Sequence, residues 1–156
     1  IHRIDRETAG IVLFSRNVQT RGAYQNLFKN REVSKTYHAL APSRDDLDLP
    51  LNYQSRMVEG EPFFRMQEVA GTANSQTHIE CLACFGELHQ LRVHLAALGI
   101  PIVNDSFYPH LQANQKDDFT KPLKLLAKSI AFIDPITKQP RYFESKLSLI
   151  ERVELV

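Results

Sequence analysis

The sequence predicts an α+β fold in which helices flank a mixed, largely antiparallel sheet. Segments with strand character outnumber helical segments, and the two kinds do not alternate as they do in doubly wound proteins. The chain has 156 residues, of which 43% are hydrophobic and 24% are charged. This size and composition suit one globular core, and no run approaches the roughly eighteen apolar residues needed to cross a bilayer.

The first third of the chain contains two predicted strands and a helix. The apolar run Ile11 to Phe14 follows Gly10 and predicts a buried strand. Asn17 is a suitable N-cap for a helix in which apolar residues recur at helical spacing. Ser34 to Ala41 alternates β-forming residues between two faces, which predicts a second strand that ends at Pro42.

The middle of the chain predicts a connection, two strands and the clearest helix. Ser43 to Pro62 is acidic and proline-bearing, which indicates a long connection with room for one short strand. Phe63 to Val69 and Gln76 to Leu82 are predicted strands. His89 to Leu98 predicts an amphipathic helix with Leu91, Leu95 and Leu98 on one face, and Gly99 ends it.

The last third predicts a loop and a strand pair. Residues 104–124 are polar and rich in turn-forming dipeptides, so they predict a loop. Leu125 to Ile133 and Arg141 to Phe143 are predicted strands, and the turn formers Asp134-Pro135 between them indicate a hairpin.

Charge is distributed unevenly along the chain. The net charge is +1, but residues 1–44 carry eight Lys or Arg against three acidic residues. Residues 45–90 carry two against eight. A basic N-terminal block is either an ordinary solvated surface or a local binding site for a polyanion such as RNA.

The two cysteines, Cys81 and Cys84, form a single C-x-x-C pair. A structural zinc site usually needs four ligands, and His78 and His89 are close in sequence, so a zinc-binding domain is one alternative. Two reduced cysteines on a half-buried strand are the simpler interpretation. There is no disulfide framework and no secretion signal, so we expect a cytoplasmic protein.

Three segments carry residues suited to chemistry. Asp5 lies between Arg3 and Arg6 just before an apolar segment, so it is either a carboxylate kept ionised for catalysis or a surface ion pair. Tyr37 lies on a predicted strand, where it either faces a pocket or is half-buried in the sheet. Arg92 lies one residue off the apolar stripe of the predicted helix, where it either reaches a carboxylate from the core edge or faces solvent.

Taken together, these segments resemble the RluA-type RNA pseudouridine synthases. His2–Ile11 is similar to the family signature H-R-L-D-x-x-T-S-G-L, and Lys35–Tyr37 is similar to its K-x-Y element. His89–Ile102 resembles H-Q-I-R-V-H-x-x-x-x-G-x-P-I. Asn104–Tyr108 resembles the G-D-x-x-Y that follows. The matches occur in family order over nearly the whole chain.

The resemblance implies a pseudouridine synthase fold and a catalytic set of Asp5, Tyr37 and Arg92. Asp5 would attack the target uridine, whose base detaches, turns and rejoins the ribose through carbon. Tyr37 would stack on the uracil and assist proton movement, and Arg92 would pair with Asp5. Arg3 would fill the gap that the flipped uridine leaves in the RNA.

The resemblance also implies partners. RNA, either rRNA or tRNA, is the expected substrate, and the basic N-terminal block around Asp5 is where its backbone would approach. The expected RNA-binding residues are His2, Arg3, Arg6 and Lys35. No metal, nucleotide or organic cofactor is expected, nor any membrane association, and the predicted state is a monomer.

The match departs from the family pattern in one place. The family's T-G-R before the helix is missing, and Cys84 to Glu87 is abrupt, so residues are expected to be lacking there, through a skipped segment or a natural deletion. We expect residues 1–156 to be one catalytic domain that is incomplete at its N-terminus. The alternative function is a non-catalytic RNA-binding module that keeps the fold.

Overall fold

The computed structural model describes residues 1–62, 65–80, 83–85, 88–112, 118 and 120–149, and for residues 83–85, 88 and 89 it describes the backbone alone. Eight strands and two helices lie within these ranges. The strands are β1 (Ala9–Gly10), β2 (Val33–Ala39), β3 (Leu51–Gly60), β4 (Arg65–Val69), β5 (Ser75–Glu80), β6 (Ala83–Phe85), β7 (Leu125–Ile133) and β8 (Pro140–Glu144). The helices are α1 (Val18–Lys29) and α2 (Leu88–Ala97).

The strands form one sheet in the order β1-β7-β2-β6-β5-β3-β4, and β8 also pairs with β7. The β1–β7 pair is parallel, and the other pairs are antiparallel. This mixed, largely antiparallel sheet confirms the predicted α+β class. No helix in the described ranges is long and apolar enough to span a membrane.

Strand β7 organises one end of the sheet. One of its edges pairs with β2 from Leu125 to Phe132. Its other edge is shared, because β1 pairs with Leu126 and Ala127 while β8 pairs with Ser129 to Ile133. Since β8 pairs with β7 from Ser129 onward, a parallel strand that continued from β1 to Phe14 would need edge positions that β8 already occupies.

The prediction of a strand at Ile11–Phe14 was wrong for this reason. The strand comes earlier, at Ala9–Gly10, and only the backbone N–H of Ile11 still bonds to Ala127, at 3.1 Å. The chain then leaves the sheet, and the side chain of Phe14 is 82% exposed. The apolar run is therefore not a buried strand in this structure.

The prediction of a long connection over Ser43–Pro62 was also wrong, because Leu51–Gly60 forms the ten-residue strand β3. Its exposure alternates residue by residue from Leu51 to Met57, as a strand with one covered face requires. The acidic, proline-bearing residues before it concealed this alternation when the segment was considered as a whole. The residues of β3 pair with β5 in its first half and with β4 in its second half.

The remaining predicted elements are confirmed where the structure describes them, with ends shifted by at most two residues. Phe63, Phe64, Cys81 and Leu82 of the predicted strands lie outside the described residues, as do residues 86 and 87. The prediction that residues are lacking between Cys84 and Glu87 therefore stays a prediction. Strand β6, at Ala83–Phe85, was not predicted.

The ends of both helices follow the local chemistry of the sequence. The side chain of Asn17 accepts a hydrogen bond from the N–H of Gln19 at 2.9 Å, which caps α1 as predicted. Helix α2 ends in a Schellman motif, in which the N–H of Ile100 bonds to Leu95 and Gly99 adopts φ +75°. Leu95 and Ile100 then enter the main hydrophobic core together.

Candidate active site

The candidate site begins in the turn that precedes β1. The N–H of Thr8 donates to the carbonyl oxygen of Asp5 at 3.0 Å, which closes a β-turn with Asp5 in its first position, where aspartate is favoured. The side chain of Asp5 is 17% exposed. It is thus close to the core and still reachable from solvent.

Gly10 attaches this turn to the sheet. It adopts φ +113°, and a Cβ at this position would lie 2.3 Å from the carbonyl oxygen of Ala127. Only glycine allows the two backbones to approach this closely. Ala127 pairs with Gly10 on one edge of β7 and with Tyr37 on the other, so the Asp5 segment and Tyr37 flank the same point of the sheet.

Arg92 reaches Asp5 from helix α2. Its Nη1 donates to Oδ2 of Asp5 at 3.3 Å, and its Nη2 donates to Oε2 of Glu7 at 3.2 Å. The side chain of Arg92 is completely buried (0% exposed). Every residue from 91 to 95 is buried, so this part of α2 is covered on all of its faces. The sequence placed Arg92 at the core edge or in solvent, and the structure places it inside.

Asp105 is the third carboxylate on this guanidinium. Its Oδ2 accepts from Nε of Arg92 at 2.9 Å and its Oδ1 accepts from Nη2 at 2.7 Å, which is the two-point geometry typical of strong Arg–carboxylate pairs. The rings of Phe107 and Tyr108 lie against the guanidinium, with centroids 4.7 and 5.6 Å from its central carbon.

Glu7 is itself held in place. The hydroxyl of Ser106 lies 2.8 and 3.0 Å from its two carboxylate oxygens. Ser106 follows Asp105 directly, so the segment after α2 contacts both the arginine and one of its carboxylate partners. Three segments far apart in the sequence therefore meet at Arg92.

The electrostatics of the cluster keep Arg92 charged. Burial alone would lower the pKa of its guanidinium, but the hydrogen bonds and charge of Asp105, followed by the charges of Asp5 and Glu7, raise the pKa above its usual range. A buried arginine with these partners is a permanent positive charge beside Asp5.

Tyr37 lies on β2 and is almost fully buried, with 1% of its surface exposed. It belongs to the main core with Leu91 and Leu95, and Ile4, the neighbour of Asp5, packs against the same core. The structure therefore brings Tyr37 to the region of Asp5 through the core, while Arg92 and Asp5 are in direct contact.

The four residues predicted to bind RNA lie in different surroundings. Arg3 and Arg6 are exposed on either side of Asp5, and Lys35 is half-buried on β2. His2 stacks on Phe28 with ring centroids 4.9 Å apart, and its Nδ1 accepts from the N–H of Leu13 at 3.4 Å. His2 thus holds the chain on both sides of the Asp5 turn, and its contact with RNA stays a prediction.

Sequence reasoning assigned no role to Asp105, Glu7 or Ser106. Asp105 and Glu7 both lie inside the recognised motifs. Their acidic character, close to residues already predicted to form an ion pair, is the feature of the sequence that could have identified them. Among the described residues, no group of three or more His, Cys, Asp or Glu side chains is arranged to hold a metal ion. Cys81 and the side chain of Cys84 lie outside the described part.

Comparison with known proteins identifies the family. Residues 1–97 match the family model described as RNA pseudouridylate synthase. The dual-specificity RNA pseudouridine synthase RluA of Pasteurella multocida is 32% identical over 152 residues, which cover 88% of this chain and 68% of that protein. The RluA of Vibrio parahaemolyticus is 30% identical over 153 residues, and the chain spans 60% of its length.

A further relative and a solved structure agree with this result. The tRNA pseudouridine synthase C of Vibrio cholerae is 28% identical over 90% of this chain and 68% of its own length. The structure of human RNA pseudouridylate synthase domain containing 1 superimposes with a TM-score of 0.68 at 20% identity, over 92% of this chain and 66% of that one, which supports the fold. The chain belongs to the RluA family of RNA pseudouridine synthases, which are intramolecular isomerases, and represents the family's catalytic core.

Proposed function

We propose that this chain converts uridine to pseudouridine in rRNA or tRNA and that Asp5 attacks the target nucleotide. The observation that carries the proposal is the contact between Asp5 and the buried Arg92, at 3.3 Å. A carboxylate that is 17% exposed and held by a buried cation is oriented, charged and accessible to a substrate.

The reaction requires no net gain or loss of atoms. The N1–C1′ bond of uridine breaks, the uracil turns, and a C5–C1′ bond forms, while the proton lost from C5 is balanced by the proton gained at N1. The carboxylate of Asp5 bonds to C1′ as the N1–C1′ bond breaks, and that bond breaks in turn when C5 attacks C1′. Arg92 compensates the charge of Asp5 before the attack. Tyr37 is proposed to stack on the uracil and assist proton movement. Because only 1% of its surface is exposed, this role requires the side chains that cover it to move when RNA binds.

The target base must leave the RNA stack before it reaches Asp5, which costs roughly a few kcal/mol. Arg3 and Arg6 are exposed next to Asp5, where guanidiniums can contact phosphates and stack in the gap left by the extruded base. This arrangement supports RNA as the substrate. The names of two relatives, a dual-specificity RNA pseudouridine synthase and a tRNA pseudouridine synthase, support RNA as the substrate and tRNA as one candidate.

The test is Asp5→Asn, which preserves the shape of the side chain and removes its charge. We expect single-turnover pseudouridine formation on rRNA and tRNA to fall by at least about 10³-fold, with RNA affinity within a few-fold of wild type in a gel-shift assay. Asp46→Asn is the matched control, because Asp46 is exposed and paired with Arg44 at the surface; it should leave the rate unchanged. Full turnover by a folded Asp5→Asn protein would contradict the mechanism.

Mapping pseudouridines in RNA from cells that lack this protein identifies the substrate, since the missing positions fall in rRNA, tRNA or both. The same cells, complemented with Asp5→Asn, should not recover those positions.

The cytoplasmic location and monomeric state expected from the sequence stay predictions. Cell fractionation tests the location, and light scattering tests the oligomeric state.

A further inference from the structure

We propose that Asp105 is a positioning residue for the reaction of Asp5, because it anchors Arg92 and supplies the charge that balances it. This inference rests on the proposed function. Asp105 acts through the guanidinium of Arg92, which donates hydrogen bonds to both carboxylates.

The contacts of Arg92 with its carboxylate partners are unequal. Asp105 takes two hydrogen bonds of 2.9 and 2.7 Å, and its side chain is 1% exposed. Asp5 takes one of 3.3 Å and is 17% exposed. Because Coulomb attraction is stronger at short range and in a buried environment, Asp105 is the main electrostatic partner of Arg92.

Asp105 is itself fixed in position. Its Oδ1 also accepts the backbone N–H groups of Phe107 and Tyr108, at 2.8 and 3.0 Å. The turn closed in this way carries the two rings that lie against the guanidinium. The hydroxyl of Tyr108 in turn accepts the N–H of Met66 on β4, at 2.8 Å, so the anchor is tied to the sheet.

The charge of Asp5 changes during the proposed reaction. When Asp5 bonds to carbon it loses its negative charge, and an arginine that depended on Asp5 alone would become a buried, uncompensated cation, which is strongly unfavourable. With Asp105 in place the guanidinium keeps a buried counter-ion throughout. Asp105 also competes for Arg92, so that Asp5 is oriented without being held as tightly as a two-point ion pair would hold it.

The test is Asp105→Asn, whose amide oxygen can still accept the two backbone N–H groups of the turn. We expect kcat to fall about 10–100-fold, as for a small misplacement of a reacting group, with little change in RNA affinity. Since a negative charge near Asp5 is removed, the acid limb of the pH profile of kcat/KM should move to lower pH. A role in folding alone would not move this limb.

Asp134→Asn is the matched control. Asp134 also accepts two backbone N–H groups and an arginine, in the turn between β7 and β8. It should reduce thermal stability and leave kcat and the pH profile unchanged.

Glu7→Gln should lower kcat less than Asp105→Asn does, because Glu7 makes a single 3.2 Å contact with Arg92 and its side chain is 30% exposed.

The outcomes separate the two proposals. If wild type forms no pseudouridine, the proposed function fails; if wild type is active and folded Asp105→Asn keeps its kcat and pH profile, only the present inference is overturned. Should Asp105→Asn not fold, Asp105→Glu replaces it. The longer side chain keeps the negative charge but cannot make the same two hydrogen bonds to Arg92, so a wild-type kcat in folded Asp105→Glu would overturn the inference and a 10–100-fold lower kcat would support it.

Discussion

Two aspartates, Asp105 and Asp134, have nearly the same local surroundings and different roles. In each, Oδ1 accepts backbone N–H groups from the residues two and three positions further on, at 2.8 to 3.1 Å. In each, Oδ2 accepts from the Nε of an arginine, at 2.9 Å for Asp105 and 3.3 Å for Asp134. The turn chemistry of the two is therefore equivalent.

The arginines distinguish the two clusters. Arg92, on α2, is completely buried and also donates hydrogen bonds to Asp5 and Glu7. Arg141 is 46% exposed on β8, seven residues from its aspartate within one hairpin. A turn aspartate thus becomes part of a candidate active site when its arginine is buried and meets a carboxylate from a distant segment, and otherwise it caps a hairpin.

The largest expected difference between the clusters follows from removing each arginine. Arg92→Ala leaves Asp105 buried without its counter-ion, so we expect the free energy of unfolding to fall by about 3–5 kcal/mol and activity to be lost. Arg141→Ala should have a much smaller effect, because water can solvate Asp134 once the exposed arginine is gone. Urea unfolding of both variants measures the difference, and equal losses would contradict the comparison.

A smaller effect is expected at the glycine that attaches the Asp5 turn to β7. Gly10→Ala places a Cβ against the backbone of Ala127 at an unfavourable φ, so we expect a loss of about 2–3 kcal/mol and a lower kcat. Gly22→Ala, in α1 with nothing within 4 Å of the new Cβ, should increase stability by about 0.5–1 kcal/mol. A neutral Gly10→Ala would show that the close approach to β7 is not required.

The smallest expected effect is a difference in acid sensitivity. Burial lowers the pKa of His94, which lies near Arg92 on α2, so its stabilising contribution is present above about pH 6.5 and is lost as the pH falls below that value. The N–H groups of Thr137 and Ile136 lower the pKa of Asp134 to about 2, so its contribution is lost only between about pH 4 and pH 2.

Melting temperatures measured from pH 8 to pH 2 test these two windows. His94→Gln should flatten the curve just below pH 6.5, and Asp134→Asn should flatten it below about pH 4. If His94→Gln and wild type lose stability in parallel between pH 6.5 and pH 5, the environment of α2 is not the source of the first window.

Much of the fold was predictable because its signals are local. The Asn17 cap, the glycine that ends α2 and the Asp134-Pro135 turn each act within a few residues. Strand β3 was missed because its alternation is weak and lies next to an acidic segment. The strand predicted at Ile11–Phe14 was wrong because β8, more than 120 residues later, occupies the edge of β7 that it would need.

The sequence by itself determined the family motifs, and with them the expectation that Asp5 and Arg92 pair. It also contained the turn chemistry of Asp105 and Asp134, which is alike in both. Only the tertiary structure decided which of the two carries a buried arginine, because Arg92 is 13 residues from Asp105 and 87 from Asp5. Contacts at such separations depend on how α2 packs against the sheet, and burial there is what turns a surface-like ion pair into a charged cluster suited to catalysis.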